Sequence, residues 1–473
     1  MGKRRTYNSV DVERIDIELL MQLVMIGCII AVDIAKSKMM AAVATAAGEV
    51  RQLIRFEHPR QTALFLGMVD QLHRAELAPR VVMEPTGTYG DALRYQFHRR
   101  GVPVQMLSPK HTHDFGEVVD GVPSMHDAKS AVVLARLAAL PEMRKKVAWQ
   151  PDDDATLEVR ALLDQRSPVA KTLALYHGHL EGVLARHWPE LGRLIDVHTT
   201  RSWMSLLKKH PGPAAVAVAG DEAAALLRKA SRQRLSEERA KAVVDAARTT
   251  LGVPMVPGEQ AKMKFLVEQI EHQTQQMDGI DEALGEVVSK SEEMTRMASL
   301  VGPACAAAVV SHVGSTLEIA SARAFEKSIG LNMKERSSGE KKGRVSITKR
   351  GPAQVRQLLY LAALRLLNTD PVVFAWYRAR RSYGGESGKK KAVVAVMRKL
   401  ARALWHVGRG ATFDATKLFD VRRLDLPVDN NKSASSVEGS TPTETTSAPE
   451  ETAPRASSRH KPQRQGGIAQ QSA

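Results

Sequence analysis

Three acidic residues, far apart in the chain, have the types and positions that metal-dependent chemistry needs. Asp33 directly follows the apolar run Cys28–Val32, Glu84 directly follows Met83 at the end of another apolar run, and Asp127 opens a stretch with a helical pattern. Ligands and catalytic groups favour the carboxyl ends of strands in open sheets, so these carboxylates are predicted to converge at one sheet edge. Their oxygens suit Mg²⁺ or Mn²⁺, ions that assist phosphodiester chemistry.

Each acid also has a structural interpretation. An Asp after a strand is often a turn residue or a helix cap. Asp127 alone would also serve as an N-terminal helix charge that the helix dipole stabilises. The metal-site hypothesis therefore depends on the joint placement of the three acids rather than on any one of them.

A second candidate site is the turn-like segment Ser337-Ser338-Gly339, which basic residues surround. A serine hydroxyl that attacks a phosphodiester needs cations to stabilise the charge on the pentavalent phosphate. From the residues alone the alternative is favoured, an ordinary basic loop that touches phosphates, because Ser-Ser-Gly is common in loops. The nucleic-acid contacts predicted in this region are Arg336, Lys341, Lys342, Arg344, Lys349, Arg350 and Arg356.

A second basic patch, Lys389-Lys390-Lys391, extends the predicted nucleic-acid surface. It is followed by Arg398, Lys399 and Arg402 in a helical pattern. Such a helix could lie along a nucleic-acid backbone, because phosphate contacts come mainly from Lys and Arg side chains.

The acids need a sheet to position them, and residues 27–150 predict one. Short β-rich runs alternate there with helical patterns, which indicates an α/β domain with a central sheet. The predicted strands are Cys28–Val32, Lys38–Thr45, Val50–Glu57, Arg80–Met83 and Val102–Leu107, and the predicted helices span 60–76, 88–100 and 127–140.

The rest of the chain divides by composition. Residues 1–26 are predicted to be an N-terminal extension, poorly ordered over its polar first 16 residues. Residues 151–296 are helical, with a heptad that predicts a coiled-coil arm or a packed helical hairpin. Residues 297–410 predict a mainly α third domain, and residues 427–473 are too poor in apolar side chains to order. The heptad positions are Met263, Leu266, Ile270, Met277, Ile280, Leu284 and Val287, with Gln273 as the polar one.

The composition points to a polyanionic partner. The 473 residues carry 68 Lys+Arg against 52 Asp+Glu, a formal net charge of +16. Such an excess favours binding to nucleic acid, because Lys and Arg that neutralise phosphates release bound counterions. Aromatic residues are only 4%, which argues against recognition mainly by base stacking. The most apolar stretch, Leu19–Val32, is shorter than the roughly 20 residues that a spanning helix needs. A cytoplasmic protein without a membrane partner is therefore expected.

The order and spacing of these motifs resemble one family over residues 27–410. This family is the DEDD-type insertion-sequence transposases of the "IS one-ten" group, also described as bridge-RNA-guided recombinases. The segments that carry the resemblance are Ile30–Lys36, Met83–Gly87, Asp120–Ala131, Ser337–Gly339 and Ile347–Gly351.

The resemblance implies a fold and an activity. The first domain would be a RuvC-like ribonuclease H fold that binds Mg²⁺ (or Mn²⁺) through Asp33, Glu84 and Asp127. The last would be a transposase domain whose serine attacks DNA and forms a phosphoserine link, with Ser338 as the match and Ser337 as the runner-up. A structured guide RNA would pair with donor and target DNA. Members act as homo-oligomers, dimers or tetramers, and the heptad would be a dimerising arm.

One motif departs from the family pattern Asp-x-x-Asp-Ala. The stretch begins at Asp127, and Ser130 stands where the fourth acid belongs. A shifted register would instead make Asp127 the last acid and Ser124 the odd residue, but Lys129 and Ala131 fit the first alignment better. A serine is a poor substitute for an anionic ligand. The copy could be impaired, or another carboxylate such as Asp120 or Asp114 could take the place.

Two other functions compete with a transposase. A RuvC-like structure-selective endonuclease would hydrolyse DNA without a covalent intermediate, so it would not need Ser338. A catalytically decayed transposase would bind nucleic acid through its charge alone and would show no Mg²⁺-dependent strand cleavage.

Overall fold

The computed structural model describes residues 7–85, 87–144, 148–198, 200–335, 345–382 and 388–424. It is a mixed α/β protein, mostly helical, with one central sheet near its N-terminus. The α/β class predicted for the first domain is thus confirmed. The predicted tail, residues 427–473, lies outside the described residues.

The central sheet combines parallel and antiparallel pairs. Its order is β1-β4-β3-β2-β5-β6. The pairs β2/β3 and β3/β4 are antiparallel, whereas β1/β4, β2/β5 and β5/β6 are parallel. The strands are β1 Ser9–Asp11, β2 Ile29–Asp33, β3 Lys38–Ala44, β4 Val50–Glu57, β5 Arg80–Met83 and β6 Val104–Met106, so each predicted strand has a counterpart.

Helices cover both faces of this sheet, which explains why its central strands are apolar throughout. They are α1 Ile17–Leu23, α2 Thr62–Arg74, α3 Asp91–Arg99, α4 Pro109–Asp120, α5 Asp127–Ala139 and α6 Pro141–Arg144. Side chains alternate between faces along a strand. In β2, Ile30 and Val32 pack in the core that holds α2 and α3. Ile29 and Ala31 face α5, where small residues allow a close approach.

The N-terminal residues correct one prediction. Residues 1–26 were expected to be an extension, but β1 pairs in parallel with β4 at the sheet edge. Val12, Leu20 and Val24 are buried in the core shared with α2 and α3. The prediction of a poorly ordered segment is therefore wrong for residues 9–16. A three-residue strand is too short to produce a periodic pattern, and its pairing with β4 is long-range.

Two long helices dominate the middle of the chain. They are α7 Asp154–His187 and α13 Pro257–Ser289, which pack along each other. At one end of this pair Met263, Leu266 and Ile270 join a core built with the short helices between them. We call that end the helical lobe, residues 188–256 with the adjoining ends of α7 and α13. The short helices are α8 Leu191–Leu194, α9 Ser202–Lys209, α10 Pro213–Ala219, α11 Asp221–Ala230 and α12 Glu237–Arg248.

The heptad therefore packs inside the chain. At the other end of the pair, Ile280 and Leu284 belong to the core of the C-terminal helices, and Val287 packs against it. Gln273 and Met277 lie between the two cores and are partly exposed. This is the packed hairpin of the two alternatives that the pattern left open, and a dimerising coiled coil stays a prediction.

The C-terminal part is mainly helical. Its core includes Val159 and Leu163 from the start of α7, so the hairpin and the C-terminal helices share one apolar interior. Its elements are α14 Glu292–Val301, α15 Pro303–Val313, α16 Ala322–Ser328, β7 Met333–Lys334, β8 Ser346–Ile347, α17 Ala353–Thr369, α18 Pro371–Arg381, α19 Gly388–Gly408 and α20 Ala415–Leu418.

Among the described residues, no single helix has the length and apolar character to cross a membrane. Helices α17 and α18 reach that character only as a pair, and they are bent by 107° relative to each other. Buried residues of both helices, such as Leu359 and Val373, belong to the C-terminal core.

Candidate active site

Asp33 and Glu84 emerge side by side from neighbouring parallel strands. The register of β2 and β5 pairs Val32 with Met83, so the two acids occupy the next positions along each strand. Alternation puts Asp33 on the face of Ala31, and Glu84 on the face of Val82. Both of those residues lie in the core that contains α5. The two carboxylates thus reach the same end and the same face of the sheet.

Helix α5 brings the third acid to this place. Asp127 is its first residue, and the helix packs against β2. The pKa of the Asp33 carboxyl is raised from its ordinary value to about 7, first by burial and then by the negative charges of Asp127 and Glu84. Because both charges raise this pKa, the three predicted acids are near enough to interact electrostatically. Their roles as catalytic residues and metal ligands stay a prediction.

The carboxylate oxygens of the three acids are the kind of ligand that a divalent cation such as Mg²⁺ prefers, although they do not form a complete coordination shell. Within the described residues, no three His, Cys, Asp or Glu side chains are arranged closely enough to hold a metal ion by themselves. Mg²⁺ is usually bound by one or two carboxylates together with waters and substrate phosphates, so a complete protein cage is not required. A divalent cation would offset both causes of the raised pKa of Asp33, first burial and then the negative charges of Asp127 and Glu84.

Ser130 occupies the first turn of α5. Its backbone N–H donates to the carbonyl of His126 at 2.8 Å, and its side chain is half-buried. Residues three apart share a helix face, so Ser130 lies on the face of Asp127. The position that the resemblance assigns to a fourth acid is therefore beside the third, and it carries a hydroxyl.

The proposed replacements for the missing acid are already engaged. The Asp120 carboxylate accepts from Lys129 Nζ at 2.6 Å and from the Tyr7 hydroxyl at 2.7 Å. These hydrogen bonds, that from Lys129 first, lower the pKa of Asp120 to about 2. Asp114 forms an ion pair with Lys110 on the surface of α4.

Sequence reasoning missed this role of Lys129. The side chain is buried, and its ammonium also donates to the carbonyl of Val122, so it ties the end of α4 to the start of α5. Tyr7 extends the connection to the N-terminal segment. The one available signal was a lysine near the start of a helix stretch, Ala128–Ala139, whose other residues except Arg136 are small or apolar.

The serine candidates lie outside the described residues. Ser337 and Ser338 belong to the segment 336–344, together with Arg336, Lys341, Lys342 and Arg344. On either side of that segment, β7 and β8 pair as antiparallel strands, with Met333 opposite Ile347 and Lys334 opposite Ser346. Their role as nucleophile or phosphate contacts stays a prediction.

Lys349 and Arg350, the predicted contacts after β8, are exposed on a tightly held loop. The N–H of Lys349 donates to the Gly330 carbonyl at 2.9 Å. Gly330 has a positive φ of 80°, and a Cβ there would lie 2.3 Å from the Arg350 carbonyl oxygen. Only glycine lets the two loops approach so closely. Arg356 supports the loop, because its guanidinium donates to the carbonyls of Ile329 and Gly351.

The second basic patch divides into two groups. Lys389, Lys390 and Lys391 are exposed on the first turn of α19. The later cations serve the fold: Arg398 and Arg402 bind the buried carboxylate of Glu326 at 2.6 and 2.5 Å. Lys399 donates to the Leu418 carbonyl. The helical pattern is confirmed, but it does not form one continuous nucleic-acid-binding face.

Comparison with known families agrees with this arrangement. A model described as the DEDD transposase of IS110 matches residues 30–189, which include all three acids. A model described as "Transposase IS116/IS110/IS902 family" matches residues 299–378, which include the basic segment around Ser338. The two matches place a DEDD transposase domain before a second transposase region along the chain. The chain belongs to the IS110-type transposases of insertion sequences.

Two curated relatives are similar over much of their length. The "Transposase for insertion sequence element IS1111A" of Coxiella burnetii is 23% identical over 331 residues, 69% of this chain and 76% of the relative. An "Insertion element IS110 uncharacterized 43.6 kDa protein" of Streptomyces coelicolor is 24% identical over 303 residues, 62% of this chain and 72% of the relative.

Proposed function

We propose that this protein cuts and rejoins DNA at the ends of an insertion sequence with a divalent metal ion and a serine nucleophile. The observation that carries the proposal is the convergence of Asp33, Glu84 and Asp127 at the carboxyl ends of β2 and β5. Stability alone gives no reason to group three acids, because like charges at short range raise the free energy of the folded state. A carboxyl group with a pKa as strongly raised as that of Asp33 is typical of functional sites.

The sheet topology supports a RuvC-like ribonuclease H fold for the first domain. Three consecutive strands, β2, β3 and β4, form an antiparallel meander, and β5 and β6 add in parallel on the far side of β2. In this order β2 and β5 are neighbours, and Asp33 and Glu84 emerge at their ends.

We assign the acids to Mg²⁺ or Mn²⁺. When bound, the ion would supply positive charge to a phosphate oxygen and lower the pKa of a bound water or hydroxyl. Asp33 would bind it in its ionised form, beside Glu84 and Asp127. The sheet domain would thus provide acidic residues for a phosphodiester that the basic C-terminal region holds.

We assign the nucleophile to Ser338, with Ser337 as the alternative. The serine Oγ would attack the phosphorus, forming a Ser–O–P bond while the P–O bond to the leaving strand breaks and its oxygen takes a proton. Cations would stabilise the charge on the pentavalent phosphate. Lys349 and Arg350, exposed beside the paired strands β7 and β8, support this assignment.

The family also suggests partners. We propose a structured guide RNA that selects donor and target DNA, and a homodimer or tetramer whose protomers share an active site. Because the substrate is cellular DNA, we place the protein in the cytoplasm. The exposed lysines 389–391 would contact phosphates of either nucleic acid.

Ser130 favours a second candidate, a transposase copy that binds nucleic acid without cutting it. The fourth acid is replaced, and Asp120, the nearest alternative in the chain, is held by Lys129 and Tyr7. An active site with one fewer acid would bind the metal ion more weakly.

The test is an exchange reaction with the element's ends, the RNA transcribed beside the gene, and Mg²⁺. We expect Mg²⁺-dependent exchange products and a covalent protein–DNA adduct, both lost in Asp33→Asn. The adduct should disappear in Ser338→Ala and persist in Ser337→Ala, its matched control. Cleavage without an adduct would indicate the RuvC-like endonuclease instead. No cleavage by the wild-type chain, with DNA binding intact, would indicate the decayed copy.

A further inference from the structure

An arginine-rich cleft lies in the helical lobe, away from the three acids. It has a volume of about 630 Å³ and opens between the loop before α9 and the turn that joins α11 to α12. Its charged lining residues are Asp196, Arg201, Arg232, Arg234 and Arg239. The volume is in the range of ligand-binding sites. The lining residues, which lie between positions 194 and 239, fall between the two ranges that the family models match, residues 30–189 and 299–378.

Three of these arginines stand out because their charge is not compensated. Arg232, Arg234 and Arg239 are exposed, and none forms a side-chain hydrogen bond or ion pair with another described residue. Arg201 differs, because its guanidinium holds Asp278 of α13 with two hydrogen bonds. Asp196, the lining acid, accepts from the backbone N–H of His198. The cleft therefore has an excess of positive charge.

Several other cations of the lobe are paired with acids, although Arg193 and Lys229 form no such pair with a described residue. Lys209 binds Glu222, Lys241 binds Glu237, and Arg248 binds Asp245. The lobe thus neutralises these side chains with acids on its own helices, and it concentrates uncompensated guanidinium groups at the cleft.

The turn that presents these arginines is closely defined. Arg232 and Gln233 both have left-handed backbone conformations, with φ of 53° and 61°, which residues other than glycine rarely adopt. Hydrogen bonds hold the turn: the N–H of Gln233 donates to the Arg228 carbonyl, and that of Leu235 to the Ser231 hydroxyl. Backbone strain of this kind persists where the surroundings over-determine it, often at ligand sites.

We propose that this cleft binds the phosphodiester backbone of a nucleic acid, as a docking site separate from the acids. The planar guanidinium presents parallel N–H donors that match phosphate oxygens, and it is the usual side chain for phosphate recognition. An open cleft with exposed arginines suits a polymer that passes through it. The inference rests on the proposed function for the identity of its ligand, either the element's DNA ends or the transcribed RNA.

The test compares two triple variants of the full-length chain in binding assays without Mg²⁺. One is Arg232→Gln/Arg234→Gln/Arg239→Gln, in the cleft. Its matched control is Lys209→Gln/Lys241→Gln/Arg248→Gln, which removes the same charge from the same lobe but from paired cations. Labelled duplex from the element's end and labelled transcribed RNA are titrated separately at several salt concentrations.

The cleft variant should bind its ligand at least about 10-fold more weakly than the control variant. The slope of log K against log salt should fall by about 2 to 3, since each lost phosphate contact contributes about 0.7–0.9. Loss with RNA alone identifies RNA as the ligand, and loss with duplex alone identifies DNA. Equal affinities of the two variants for both probes would overturn the proposal.

A further variant guards against a folding defect. The variant Arg232→Lys/Arg234→Lys/Arg239→Lys keeps the positive charges but loses the planar guanidinium donors. Compared with the glutamine variant, it should recover part of the affinity and most of the salt slope. Failure of the wild-type chain to cleave DNA in Mg²⁺ would overturn the proposed function alone, because these binding measurements do not depend on cleavage.

Discussion

Two carboxylates that are withdrawn from water, Asp33 in the sheet domain and Glu326 in the C-terminal core, have opposite surroundings. Glu326 is buried between Arg398 and Arg402, each within hydrogen-bond distance of one of its oxygens. Asp33 is partly buried, and the charged groups that most affect it are Asp127 and Glu84, two further acids. The first is explained by the fold, because a buried charge needs a partner. The second is not, and this difference separates a structural acid, Glu326, from the acid that we propose to be functional, Asp33.

The largest effect should come from removing the functional acid. Asp33→Asn should reduce DNA cleavage by at least about 100-fold, the scale seen when one group that stabilises transition-state charge is lost. It should not destabilise the fold, because it removes repulsion. Cleavage of an end duplex in Mg²⁺ measures the first effect, and thermal unfolding measures the second. Normal cleavage by this variant would remove Asp33 from the site.

The structural acid should behave in the opposite way. Glu326→Gln should lower the free energy of unfolding by about 2 kcal/mol, less than the 3–5 kcal/mol of a fully buried pair because water can reach both arginines. Chemical denaturation measures the change. The control is Glu318→Gln on the exposed surface, which should shift stability by no more than about 0.5 kcal/mol. Equal shifts in the two variants would mean that Glu326 is not structural.

Adding an acid at position 130 tests whether the missing fourth carboxylate limits metal binding at the site of the three acids. If Ser130 limits metal binding, Ser130→Asp should lower the Mg²⁺ concentration for half-maximal cleavage by about 10-fold, the lower end of what one supporting group contributes to metal affinity. Ser124→Asp tests the alternative register and should change little. A gain in the Ser124 variant alone would show that the shifted alignment is the right one.

The comparison can also be tested through the pH dependence of stability. The pKa of Asp33 is about 7 in the folded protein, above its ordinary value of 3.8, so the folded state retains a proton that the unfolded chain loses. The contribution of this group to stability is therefore greatest at low pH and falls as pH rises from about 4 to 7. Melting temperatures of wild type minus Asp33→Asn, measured without Mg²⁺, should decrease over that range. A difference that does not change with pH would contradict the raised pKa.

The sequence predicted what depends on local pattern. The apolar runs identified β2, β3, β4, β5 and β6, and the two acids that follow β2 and β5 were placed correctly at one sheet end. It missed β1 and α4. The first is three residues long, and the second is polar, with its start marked by Pro109. Neither produces a hydrophobic period, which is the main signal of secondary structure in a sequence.

Long-range partners were beyond sequence reasoning. Arg398 and Arg402 have the spacing of a basic helix face, and only the fold shows that Glu326, more than seventy positions earlier, occupies them. Lys129 entered the sequence analysis only as a residue that fits the family motif, yet it is buried and binds Asp120, which also accepts from Tyr7. Side chains that meet through tertiary packing leave no local period, so the chemistry of each cation depended on the structure.

The gathering of the three acids around a divalent ion can be measured directly by iron-mediated cleavage of the protein backbone. Fe²⁺ substituted for Mg²⁺, with peroxide and ascorbate, would generate radicals that cut the chain near the bound ion. We expect fragments that end near residues 33, 84 and 127, suppressed by excess Mg²⁺ and absent in Asp33→Asn. Cuts at only one of these places, or a pattern that Asp33→Asn leaves unchanged, would contradict a shared metal site.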